Sequence, residues 1–174
     1  MTFKRSTFKV RTVAEITEPF TSKSREISGY MRSKLCALPL DVVQVINIMQ
    51  HLTGKEIAAE MVFCDDRGDN QYSEYESLEK RYVQIARNGQ GDAWLMNLAD
   101  GLISFFDHDR IDPVVSPLFI DFWRFLQLAD LIRQYEQIAD GVDHFEESAE
   151  YMELIEQLSM IHPNLPENYP FDFV

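Results

Sequence analysis

The amino-acid sequence predicts an α+β domain in which an antiparallel sheet centred on residues 82–106 carries long helices packed on one face. Three observations carry this expectation. Residues 82–106 read as three runs rich in β-branched and aromatic residues, separated by glycine-containing breaks, which is how a meander of half-buried strands is written. Residues 117–140 present an apolar face so broad that it must lie against something large. A chain of 174 residues, 45% hydrophobic and 12% aromatic, suffices for one sizeable core and is too apolar for disorder over most of its length.

Taken in order, residues 1–34 alternate basic and apolar side chains. Phe8 to Val13 has strand-like alternation and Thr21 to Ser24 is loop-like, so this segment is either an edge strand or a partly mobile arm, set apart from a single domain over residues 35–174. From Asp41 to Leu52 the apolar positions Val42, Val45, Ile46, Met49 and Leu52 follow helical spacing, with Gly54 placed as a C-terminal cap; the β-branched content leaves a buried strand as the competing reading. Lys55 to Glu60 reads as a further helical turn, and Met61 to Cys64 as a short apolar run entering the sheet.

Asp65 to Glu79 is an acidic loop. It fails the calcium-loop pattern, because from Asp65 the third position is Arg67 and glycine falls at the fourth. The three strands follow, Tyr82 to Ala86, Ala93 to Leu98 and Leu102 to Phe106, with a glycine turn at Arg87 to Asp92 and Asp100-Gly101 as a two-residue hairpin turn of the primed type. In Asp107-His108-Asp109, strand alternation would place the two carboxylates on one side and the imidazole on the other. Ser116-Pro117 reads as the N-cap and first position of the longest helix, with Leu118, Phe122, Phe125, Ala129 and Ile132 as its stripe, widened by Phe119, Trp123, Leu126 and Tyr135. A last helix starts at Asp143, with Glu146 completing a capping box, and runs to about Ile161 with Phe145, Ala149, Met152, Ile155 and either Leu158 or Ser159 inward. The proline-broken aromatic tail from Asn164 either folds back on the core or meets a partner.

Charge narrows the function classes. Residues 1–34 hold eight Lys or Arg against three Glu, the remaining 140 hold eight against 26 acids, and beyond Arg133 no basic residue occurs. Such a field repels nucleic acid and speeds encounter with a basic partner. No apolar run approaches the ~20 residues of a membrane span, and Cys36 and Cys64, among apolar neighbours, read as reduced buried thiols; a soluble cytoplasmic protein is expected. There is no GxSxG elbow, Walker loop, HExxH or dinucleotide fingerprint, so neither an enzyme nor a cofactor or metal site is expected. A metal-dependent hydrolase using Asp107, His108 and Asp109 is the reading that would overturn this.

The order Asn88-Gly89-Gln90-Gly91-Asp92, an aromatic strand ending in Asn97-Leu98, Asp100-Gly101, Leu102-Ile103-Ser104-Phe105-Phe106 and Asp107-His108-Asp109 resembles the core of the SUKH superfamily, which includes bacterial immunity proteins and homologues of a yeast regulator of cell-wall synthesis. The match covers about 28 residues. The resemblance implies a non-enzymatic protein-binding domain, most simply an immunity protein that neutralises a cognate polymorphic toxin by direct binding. Many such toxins are nucleases with basic substrate surfaces, to which an acidic inhibitor is complementary. On that reading Asp65, Asp66, Asp69, Glu74 and Glu76 face the toxin, joined by Asp107 and Asp109; Glu153 and Glu156, too far along the last helix to serve its dipole, are further contacts. The alternative is an intracellular scaffold or regulator of an endogenous protein, as in the cell-wall branch. An unpaired edge strand would permit a dimer.

Overall fold

The computed structural model describes residues 7–39, 41–65, 76–111, 115–139, 141–142 and 144–173, with the backbone alone at Glu76. The predicted fold class is the observed one. Six antiparallel strands lie side by side in chain order: β1 (Glu56–Ala58), β2 (Met61–Phe63), β3 (Tyr82–Arg87), β4 (Ala93–Asn97), β5 (Ile103–Phe106) and β6 (Val115–Pro117). The α-helices among the described residues are α1 (Val13–Thr17), α2 (Gly29–Leu35), α3 (Val42–Leu52), α4 (Glu76–Glu79), α5 (Phe122–Ala139), α6 (Ala149–Ile161) and α7 (Leu165–Asn168). None is long and apolar enough to cross a membrane.

Strand alternation sorts side chains between two faces. Val83, Ile85, Trp94, Met96, Ile103 and Phe105 join the main core with Phe122, Phe125, Leu126 and Ala129 of α5. Tyr82, Ala93, Leu95 and Phe106 form a smaller cluster with Leu78 of α4. A bulge between Gln84 and Ala86 shifts the register of β3 on β4.

Several local expectations are corrected. Lys55 to Glu60 is not helical, because Glu56–Ala58 pairs with β2 to form one edge of the sheet. Asp100-Gly101 does not make a two-residue turn. The loop spans Leu98 to Gly101, with Gly101 alone left-handed (φ 76°), Asn97 Oδ1 accepting from Ala99 N and Asp100 Oδ1 from Leu102 N. Such side-chain bonds favour a longer loop with one left-handed glycine. Ser116-Pro117 does not start a helix. Pro117 sits on the edge strand β6 opposite Ser104, where a residue without an N–H is tolerated. Leu118 and Ile120 continue that pairing through Ile103, and α5 begins only after Asp121, whose carboxylate accepts from Arg124 N at 2.9 Å.

The final helix is also displaced. Asp143 lies outside the described residues. Phe145–Glu147 is a single 3₁₀ turn, and α6 starts after Ser148, whose Oγ accepts from Tyr151 N. The inward stripe is therefore Leu154, Leu158 and Ile161, while Met152 is 66% exposed and Ala149 is exposed. Both cysteines are free, Cys64 buried as expected and Cys36 exposed. α3 fulfils its reading, with Asp41 as N-cap and Gly54 left-handed after the C-cap.

Residues 7–34 of the basic N-terminal segment form no edge strand, and they are not separate from the core. Residues 8–11 are extended, but they lie along α5 and α6 and bond to side chains. Phe8 N donates to Glu153 Oε1, Val10 N to Gln157 Oε1 and Lys9 N to Gln134 Oε1, and Gln127 Nε2 donates to Arg11 O. Phe8 is 1% exposed. Thr12 then caps α1 in a capping box with Glu15, whose carboxyl is held down at about 2 by Thr12's amide and hydroxyl. Arg11 reaches inward to Asp130, donating from Nε and Nη2 at 2.7 Å each; Arg133 Nη2 adds a contact of 2.6 Å and Gln134 Nε2 one of 2.9 Å. Asp130 is fully buried.

Two substitutions test whether this segment belongs to the folded unit. Arg11→Ala should cost about 3 kcal/mol in urea unfolding, the lower end for breaking a buried pair because Arg133 and Gln134 still serve Asp130. Phe8→Ala should cost about 3–4 kcal/mol as a core truncation. A dispensable arm would give neither loss.

Candidate partner-binding surface

The turn joining β3 to β4 is built around one side chain. Asn88 Oδ1 accepts from the amides of Gln90, Gly91 and Asp92, and Asn88 Nδ2 donates to Glu60 Oε2 and Asp92 Oδ2 at 2.8 Å each. Asp92, 6% exposed, passes the network on. Its Oδ1 accepts from the backbone N of His108 at 3.1 Å and from His108 Nδ1 at 2.7 Å. The His108 ring packs against Gly91, where φ is 115° and an added Cβ would lie 3.3 Å from His108 Cγ. Asp109 Oδ1 approaches Nε2 at 3.2 Å. The hydrogen bond to Asp92 raises the His108 pKa; burial opposes this, and Asp109, Asp92 and Asp107 reinforce it.

Residues 107–109 therefore do not alternate as a strand would. They enter a turn that folds His108 back on Asp92, a partner 16 positions upstream that local reasoning had no means to pair with it. Asp92, Asp107 and His108 bring three ligand-type atoms within 4.8 Å of one another. However, His108 Nδ1 carries the proton donated to Asp92, and Asp107 is committed to Arg110 Nε at 3.2 Å and to the amide of Asp109. The geometry is that of a clasp closing the sheet end.

The remaining anticipated contacts divide. Asp65 is turned inward, holding the amide and hydroxyl of Ser28, the N-cap of α2. Asp66, Asp69 and Glu74 lie outside the described residues, as does the Glu76 side chain, although Glu76 opens α4. Glu153 faces the N-terminal segment through Phe8 N, so it is spent within the fold. Glu156 is exposed on α6, between Met152 at 66% and Met160 at 68% exposure. At four-residue intervals these three share one helix face. Beyond the end of α6, Phe119, left-handed and 48% exposed, stacks on His162. With Asp107, Arg110 and Glu167 it lines a hollow of about 460 Å³.

Tyr169 also lines this hollow, and beside it the tail closes the core. Tyr169 and Phe171 pack on Trp94, whose Nε1 donates to Glu60 O at 2.7 Å. Comparison with protein-family models, curated proteins and solved structures gives no match.

Because the folded pKa of His108 is raised, the stability it contributes is complete below about 6.5 and is lost as pH rises through its folded value. The urea midpoint of the parent should fall relative to His108→Gln as pH rises from below about 6.5 through the folded value of His108. A constant difference across that interval would show that the clasp does not titrate with folding. Gly91→Ala should cost about 1–3 kcal/mol and shift the His108 ring resonances; an unperturbed ring would refute the close packing.

Proposed function

We propose that this chain is a non-enzymatic protein-binding domain, an immunity protein that neutralises a cognate basic toxin in the cytoplasm by covering it. The observation that carries the reading is the outer face of α6, where Met152 and Met160 stand exposed on either side of the exposed Glu156. Thioethers are flexible and polarizable, so they adapt to a partner's surface. The carboxylate between them selects a basic one. The surplus of 26 acids over eight basic residues in positions 35–174 supplies the long-range field. The resemblance of residues 82–109 to the SUKH core implies a protein-binding domain, and the acidic surplus favours the immunity branch. The two free cysteines suit a reducing compartment.

The tagged full chain, used as bait in its own cell lysate, should retain one basic polypeptide stoichiometrically at low salt and lose it as salt rises. Met152→Ser with Met160→Ser should weaken that complex about tenfold or more, and Glu156→Lys should slow association and flatten the salt dependence. If the partner is instead an envelope-synthesis protein of the same cell, the regulator reading replaces the immunity reading. Retention unchanged by all three substitutions would remove α6 from the interface.

A further inference from the structure

A second feature combines carboxylates with apolar walls, and it lies where the C-terminal tail crosses α5. Tyr135, Tyr169, Phe171 and Phe173 surround a cavity of about 300 Å³, with Glu60, Glu136 and Asp172 at its polar margin. That volume sits at the small end of ligand pockets and suits one side chain. None of the residues lining it is basic, and no Lys or Arg follows Arg133 in the sequence.

Its polar groups are only partly used by the fold. Glu60 spends Oε2 on Asn88 Nδ2, and Glu136 spends Oε1 on the amide of Ala59 at 2.9 Å; the other carboxylate oxygen of each has no partner among the described residues. The Tyr169 hydroxyl likewise has none. Burial, followed by the nearby charges of Glu56 and Glu60, raises the Glu136 pKa. Burial, followed by Glu60 and Glu136, raises that of Tyr169. The cavity thus concentrates negative charge against aromatic rings and leaves it uncompensated.

We infer that this cavity receives the guanidinium of an arginine side chain presented by a protein partner. A guanidinium is planar and stacks on aromatic faces, and its fork of five N–H donors suits several separate acceptors better than an ammonium does. Here the acceptors are the free oxygens of Glu60 and Glu136 and the Tyr169 hydroxyl. The apolar stem of arginine would lie against Phe171 and Phe173. The inference rests on the protein-binding reading only for the source of the arginine.

The test titrates the full-length protein with N-acetyl-arginine methylamide, its lysine counterpart and the uncharged isostere N-acetyl-citrulline methylamide, following backbone amide resonances. Arginine should give saturable shifts centred on residues 59–60, 135–136 and 169–173, with lysine weaker and citrulline at least tenfold weaker. Glu60→Gln combined with Glu136→Gln keeps an acceptor for Asn88 and Ala59 while removing both charges. It should weaken arginine binding at least tenfold without lowering the unfolding midpoint. Equal responses to arginine and citrulline, shifts centred elsewhere, or an unaffected double variant would overturn the site. An arginine-binding pocket whose double variant still binds the basic partner undiminished would overturn the assignment to that partner, leaving the protein-binding proposal intact.

Discussion

A carboxylate without solvent access in the middle of the longest helix constrains how the rest of the chain is arranged. Asp130 is fully buried, and a buried charge costs several kcal/mol unless it is paired and hydrogen-bonded. Arg133 and Gln134, three and four residues on, meet part of the demand from within α5. The rest comes from Arg11 in a two-pronged contact, which brings the N-terminal segment to the groove between α5 and α6. Once Arg11 is fixed, Glu153, Gln157, Gln134 and Gln127 bond the adjacent backbone, so one ion pair organises a chain-spanning contact. It also changes the meaning of the basic N-terminus. Arg11 serves Asp130, Lys9 meets Glu15 and Lys34 donates to Tyr82 O, so these three cations make contacts within the fold.

The parts of the fold that were legible in the sequence were those whose signal is local. β3, β4 and β5 combine period-two alternation with glycine breaks, and α3 has a cap at each end, so near neighbours decide them. Of the three-residue strands, β2 was legible as the apolar run Met61 to Cys64, whereas β1 and β6 were not. Each of those two is held by its partner in the sheet, and no propensity over three residues outweighs that. Ser116-Pro117 satisfied every local criterion for a helix start, yet the sheet claims Pro117 as an edge residue and buries Leu118 and Ile120 beneath it. Residues 8–11 are extended as the alternation predicts, but Val13 already opens α1 and the partner is not a strand. The extended backbone is satisfied by glutamine and glutamate side chains of two helices, an arrangement with no sequence period.

The candidate surface was less legible, for a related reason. Its clasp depends on a contact between Asp92 and His108 that exists only once β4 and β5 are paired. Residues 88–92 were recognised as a turn, but Asn88 also ties Glu60 to Asp92. Glu60 stands at the margin of the aromatic cavity, so the turn connects the sheet end to the tail. On α6, a helix start placed five residues early at Asp143 rather than Ser148 misphased the stripe. It assigned Met152 to the core and left Glu153 outside, the reverse of what the packing does.

Net charge alone is a poor guide to a binding surface, because carboxylates also serve as structural acceptors. Asp65 secures the cap of α2, Asp92 holds His108, Asp107 fixes a turn, Asp130 anchors the N-terminus and Glu153 accepts from Phe8. Subtracting such residues sharpens the question. The carboxylates of greater interest are those with an oxygen unspent beside apolar atoms that the fold has left uncovered or only partly covered. Glu156 between two exposed methionines meets that description, as do Glu60 and Glu136 beside the aromatic tail. Both arrangements favour a cation carried on an apolar stem over a hydrated ion, since a strongly hydrated ion gains little from thioether or aromatic contact whereas a basic side chain uses its charge and its methylenes together. It is this pairing, rather than the size of the negative charge, that distinguishes a protein ligand from a simple counterion.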